Sequence, residues 1–233
     1  MDPSRVIMIF IGQVGIIIIF TFLTYKILKR NRKILSILIS AFLISIIIAS
    51  ALYIIYSLIP ENSVKIMLHL FTNFFNFWGI GFLYMTNKIL LESETIYRKS
   101  KRIQYMISYS LIYLIGMFLV AFLTKDGVTF EASGYPHWNI YFYIFMIVVV
   151  YGFSIIPLII TAIKILTKFS KGELRKKYIR LFIGIIGFSP LPILVFTVNF
   201  LNISEFRAIV SLLFLTILIW AYLFYSGLGR QIK

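Results

Sequence analysis

His69, Asn73 and Asn76 recur at i, i+4 and i+7, with Thr72 alongside, inside an otherwise apolar stretch. One imidazole and two amides on a single helix face can recognise a polar ligand or line a hydrated path, and leaving them in hydrocarbon is costly. This face is therefore expected to point into a helix bundle. The same residues also suit hydrogen bonding between helices, which locks a bundle at about 1 kcal/mol for each bond. No metal is expected, because the chain has no cysteine and His137 is its only other histidine.

Further polar groups interrupt other apolar stretches: Gln13, Tyr151 and Ser154 ahead of Pro157, and Asn199. Together, His69, Asn73, Asn76, Tyr151 and Asn199 form the candidate ligand-binding set or polar cavity. Pro157, Pro190 and Pro192 each remove a backbone donor, which bends a helix and frees carbonyl groups. They are the candidate hinge residues, centred on Pro157 and on Ser189-Pro-Leu-Pro192, although kinks of this kind also serve plain packing.

All eight acidic residues fall at the ends of apolar stretches or between them. A proton-coupled pump keeps an ionisable carboxylate within the membrane, and acid–base catalysis needs positioned carboxyl groups. Phosphate-cradling glycine loops, a Gly-x-Ser-x-Gly elbow and a His-Glu-x-x-His pair are also missing from the sequence. No enzymatic activity and no cofactor are expected. An enzyme acting on lipids would need a polar cluster open to one leaflet, and the chain offers scattered amides and a single interior histidine. The last apolar stretch has no lysine for a retinal Schiff base, and the Asp-Arg-Tyr and Asn-Pro-x-x-Tyr signatures of eukaryotic G-protein-coupled receptors are absent.

Seven long apolar stretches must position these residues, near 6–28, 34–59, 64–91, 104–124, 138–167, 178–201 and 205–226. The 233 residues are 61% hydrophobic, with a mean hydropathy of +0.96. Each stretch is continuously apolar and long enough to cross a bilayer, where barrel strands would alternate. The expected fold is an all-α membrane protein, a single seven-helix transmembrane domain over residues 1–233, in a multi-pass arrangement in the cell membrane. The first stretch is too long for a signal-peptide core and ends at the basic run Lys29–Lys33, so it is expected to be retained. Ala41, Ser45 and Ala49, and likewise Gly184 and Gly187, are expected to let neighbouring helices approach closely.

Of the 23 lysines and arginines, all but Arg5, Lys65, Lys125 and Arg207 sit after the first, third and fifth stretches or at the C-terminus. The positive-inside rule then places the N-terminus outside and the C-terminus in the cytoplasm. A formal charge of +15 would point to nucleic acid in a soluble protein. Here the cations flank membrane spans, so anionic lipid headgroups are the expected partner and nucleic acid is not. Thr124 to His137 forms the one sizeable outer loop, a lid or a connector with a turn at Gly134 to Pro136. Tyr135, His137, Trp138, Tyr141 and Tyr143 are expected to form an interfacial aromatic belt.

The segments Thr124-Lys-Asp-Gly-Val and Gly134-Tyr-Pro-His-Trp138 are followed by an aromatic fifth span and the basic run Lys171-Gly-Glu-Leu-Arg-Lys-Lys-Tyr-Ile-Arg180. With Gly184, Gly187 and Pro190 to Asn199, this arrangement resembles the prokaryotic seven-transmembrane sensory domain that precedes histidine kinases. The resemblance covers the whole chain in topology. It implies a sensor, here without an output domain after the seventh helix, and it transfers neither kinase activity nor ligand-binding residues. The expected function is a sensor or receptor that passes a signal to a separate cytoplasmic protein through movement of helices five to seven. A small facilitative transporter or channel, with a path lined by His69, Asn73, Asn76 and Asn199, is the alternative.

Overall fold

In hydrocarbon, an apolar stretch can satisfy its own backbone hydrogen bonds only as a helix. The computed structural model describes residues 6, 8–131, 134–168 and 172–229. Asp2, Arg5, Lys171, Arg230 and Lys233, which enter the charge pattern, lie outside the described residues, as do 132 and 133 of the loop between the fourth and fifth spans. Among the described residues, seven helices are long and apolar enough to cross a membrane: Ile9–Arg30, Ile34–Leu58, Asn62–Glu92, Lys99–Leu123, Ile140–Lys168, Arg175–Leu201 and Ser204–Gly227. The chain is a multi-pass membrane protein with a seven-helix bundle. The fourth span starts at Lys99 and the helix that enters the sixth starts at Glu173, earlier than the expected 104 and 178. Basic side chains extend both first turns, since their stems lie along the helix while their heads reach water.

Each span packs on its neighbours in sequence, the seventh returns to the first, and the third also reaches the fifth. The second and third spans are the most enclosed, at 56% buried, against 22% for the fourth and seventh. These two spans are therefore the ones best placed to carry a polar face. Ser45 and Ala49 are buried on the second span. Gly79 of the third span lies so close to Ser45 that a side chain there would overlap the serine hydroxyl. Gly184 likewise admits the Phe224 ring, which would stand 2.9 Å from an added Cβ.

The loop between the fourth and fifth spans folds into a short hairpin with the expected turn at Gly134. Strands β1 (Val128–Phe130) and β2 (Pro136–Trp138) pair antiparallel, Val128 opposite Trp138 and Phe130 opposite Pro136. Gly134 takes a φ of 83° in the turn, a conformation open to glycine without a Cβ clash. The alternation of strand side chains sends Val128, Pro136 and Trp138 inward. Trp138, expected in the interfacial belt, is fully buried instead, whereas Tyr141 is exposed. Asn139 fastens the base of the hairpin: its side chain accepts from the Phe142 amide and donates to Thr124 Oγ1 and the Lys125 carbonyl, each at 2.9 Å.

This end of the bundle is the hairpin end; the opposite one, the basic end, carries the ion pairs Lys88–Glu92, Arg102–Glu94 and Lys177–Glu173.

Candidate functional site

Beneath the hairpin the helices leave a cavity of about 130 Å³. The third span supplies His69, Thr72, Asn73, Asn76 and Phe77 to its wall, and the second supplies Tyr53 and Tyr56. Val195, Val198 and Asn199 of the sixth span face Arg207, Val210, Ser211 and Phe214 of the seventh. Gln13 and the hairpin residues Tyr135 and Pro136 complete the wall. In the third, sixth and seventh spans these residues recur three and four apart, the register that keeps side chains on one face. Four of the expected residues, His69, Asn73, Asn76 and Asn199, thus meet at one cavity.

His69 is buried and boxed by rings, with centroids of Tyr56 and Phe130 at 5.5 Å and of Trp138 at 5.9 Å. Trp138 Nε1 donates to His69 Nε2 at 3.1 Å. An indole N–H can only donate, so Nε2 is the acceptor nitrogen and a neutral ring carries its proton on Nδ1. The Asn73 amide supports the same tautomer, lying 3.1 Å from Nε2 while donating to the His69 carbonyl at 2.8 Å. Asn73 thereby holds the imidazole in place. Nδ1 is buried without a hydrogen-bond partner in the structure.

Arg207 is the charged residue on this wall, 6% exposed. Its Nη2 donates to the Pro136 carbonyl at 3.2 Å and to Asn202 Oδ1, and the guanidinium lies 4.5 Å from the centre of the Tyr135 ring. The Asn202 amide donates in turn to Glu131. These contacts tie the start of the seventh span to the hairpin. In the sequence Arg207 stands out only as one of the four cations outside the main basic clusters. Its spacing to Val210, Ser211 and Phe214 is the signal that would have put it on an inward face.

Tyr151, expected with the cavity set, is not on the wall. Its hydroxyl donates to the Ser189 carbonyl at 2.8 Å and accepts from the Ile193 amide at 3.2 Å. An unbroken helix would join that carbonyl and amide directly. Tyr151 instead bridges them across the break made by Pro190 and Pro192, between the helices Glu173–Phe188 and Leu191–Leu201. It belongs to a π-helical stretch, Tyr151–Ile155, just ahead of Pro157 in the fifth span. Pro157 has no N–H to give to the Phe153 carbonyl, and Tyr105 Oη donates to that oxygen at 2.6 Å.

Tyr105 opens a ladder on the fourth span that sequence reading missed. Tyr109 Oη donates to the Phe77 carbonyl at 3.2 Å and Tyr113 Oη to the Asn73 carbonyl at 2.9 Å. Their spacing at i, i+4 and i+8 marks one helix face, and it anchors the third span from behind.

Toward the basic end a smaller space of about 10 Å³ lies between Ile46, Asn76, Phe77, Phe188, Pro192 and Phe214. That is barely one water's worth. Beyond it the rings of Phe42, Phe188 and Phe224 meet edge to face at 5.7 to 6.2 Å. The wall carries amides, phenols, an imidazole and a guanidinium, with no carboxylate among the lining residues; such groups can donate and accept hydrogen bonds to a molecule that fits the space. No protein-family model, curated protein or solved structure matches this chain.

Proposed function

We propose that this protein is a sensor-like receptor of the cell membrane, which takes a small ligand into the cavity under the hairpin and passes the event to a separate cytoplasmic protein at the basic end. The observation that carries this reading is the narrowing from a cavity of about 130 Å³ to a space of about 10 Å³ ahead of the rings of Phe42, Phe188 and Phe224. A facilitator needs a path that continues to the other side, whereas a receptor needs a pocket whose occupancy moves helices. Two walls of this pocket belong to the sixth and seventh spans, and Pro192 lies in the narrow layer just below them. In this reading Pro157, Pro190 and Pro192 are the hinge, and the Tyr151 bridge couples the fifth span to the sixth. The basic end faces the cytoplasm, where its cations engage anionic headgroups and the signalling partner. The resemblance to histidine-kinase sensory domains points the same way.

In proteoliposomes the wild-type protein should pass small solutes no faster than a protein-free bilayer. Photo-crosslinkers at the exposed positions Lys176 and Arg180 should capture a soluble protein in cells, with a yield that changes when Ser211→Trp fills the cavity. Solute flux through wild-type protein would reverse the reading in favour of a facilitator.

A further inference from the structure

We infer that the ligand of this cavity is a small neutral ring carrying an amide, the class of nicotinamide and the pyrimidine bases, held by the carboxamides of Gln13, Asn76 and Asn199. The inference rests on the cavity being a ligand site and adds the chemistry of its occupant.

The first observation is that carboxamides reach this wall from three different spans: Gln13 from the first, Asn76 from the third and Asn199 from the sixth. Gln13 is only 6% exposed and Asn199 only 8%. None of the three has a hydrogen-bond partner among the described residues, and the amides of Gln13 and Asn199 keep open surface, unlike the sealed Nδ1 of His69. Asn73, one turn before Asn76, differs in spending its amide on His69. Buried polar groups are normally satisfied by protein, water or ligand. A carboxamide offers one carbonyl acceptor and two N–H donors, so this wall asks for both kinds of partner together. An amide in the ligand brings both, whereas a group that only donates or only accepts answers half of the array.

The second observation is the charge balance. Arg207 Nη2 donates to the Pro136 carbonyl and to Asn202, and the Asn202 amide donates to Glu131. The guanidinium on the wall is thus chained to a carboxylate, and the amides carry no net charge. A charged ligand would lose its hydration here without gaining a free counter-ion. A neutral ligand escapes that cost.

The third is size and shape. A void of about 130 Å³ is close to the roughly 150 Å³ apolar cavity that accepts benzene, which sets the occupant at a single ring. Phe77, Phe214, Val195 and Val210 give the space an apolar flank for the body of that ring. A molecule of amide groups alone would leave this flank empty.

Four water-soluble probes separate these features: nicotinamide, with its amide on the ring; uracil, with its amide in the ring; nicotinate, which has the shape of nicotinamide and a negative charge; and pyridine, the ring alone. Each is titrated calorimetrically against the full chain in nanodiscs of zwitterionic lipid. Nicotinamide or uracil should bind at least about tenfold tighter than both nicotinate and pyridine, the margin of one or two net hydrogen bonds. Which of the two leads tells whether the amide sits on the ring or within it. Asn199→Leu should weaken binding of the leading probe about tenfold and leave that of pyridine unchanged. Gln13→Met should act in the same direction, and it carries the test if Asn199→Leu folds poorly. Nicotinate or pyridine binding as tightly as the amide probes, or amide-probe affinity unchanged in both variants, would overturn the inference while leaving the cavity a ligand site. Absence of binding by all four would also overturn it, and the receptor reading would then be decided by the flux measurement in proteoliposomes, which does not depend on these probes.

Discussion

The two halves of this bundle are made from the same apolar helices and end in opposite kinds of core. Toward the hairpin the axis holds an imidazole, amides and a guanidinium around about 130 Å³ of space. Toward the basic end it holds the rings of Phe42, Phe188 and Phe224, with Gly184 cut back to admit one of them. The filled half draws its stability from close packing, and the hollow half relies on hydrogen bonds that fix where each polar group stands. Volume changes should therefore hurt the first most, and loss of a polar atom should hurt the second.

The largest contrast comes from adding bulk to each half. Gly184→Leu forces a side chain against the Phe224 ring and should lower the stability of the protein in detergent by about 3 kcal/mol. Val198→Leu adds volume beside a void and should change stability by less than about 1 kcal/mol. Equal losses in thermal unfolding would mean that the cavity is not a true void.

A polar deletion should reverse that order. His69→Phe removes the acceptor of the buried Trp138 N–H, and the stranded donor should cost about 2 kcal/mol. His69→Gln, which retains an acceptor, should recover part of the loss. An unchanged unfolding temperature in His69→Phe would show that the Trp138 contact has little weight.

The third effect is smaller and local. Tyr151→Phe keeps the ring and removes the hydroxyl that bridges Ser189 and Ile193, for a loss of about 1 kcal/mol. Amide hydrogen exchange should quicken at Ile193 more than in the helix Glu173–Phe188. Uniform exchange along the sixth span would mean that the bridge does not secure the proline break.

Seven helices were legible because each apolar stretch is long, continuous and ended by charge, and the cost of polar groups in lipid told which face of the third span looks inward. His69, Asn73, Asn76 and Asn199 reach one cavity for that reason. Spacing within one helix, however, does not say which residues meet across helices. Tyr151 has the composition of a cavity residue, yet its hydroxyl goes to backbone groups freed by prolines 39 and 41 positions further along the chain. Trp138 sits where a belt residue would, but strand pairing turned it inward onto His69. The hairpin itself was hidden because its strands are only three residues each, too short for period-two alternation to stand out. Arg207 was masked by its role in the charge count.

The proposed receptor requires that the polar cavity be reached from the hairpin side and stop at the narrow layer around Phe77, Phe188 and Phe214. The chain has no cysteine, so a single introduced thiol reports its own access. Ser211→Cys lies on the cavity wall and Ile185→Cys lies beyond the layer, in the buried core. With oriented proteoliposomes and a membrane-impermeant thiol reagent, Ser211→Cys should be labelled from the hairpin side alone and Ile185→Cys from neither side. Labelling of Ser211→Cys from both sides, or of Ile185→Cys from the hairpin side, would reveal a continuous path and contradict the account.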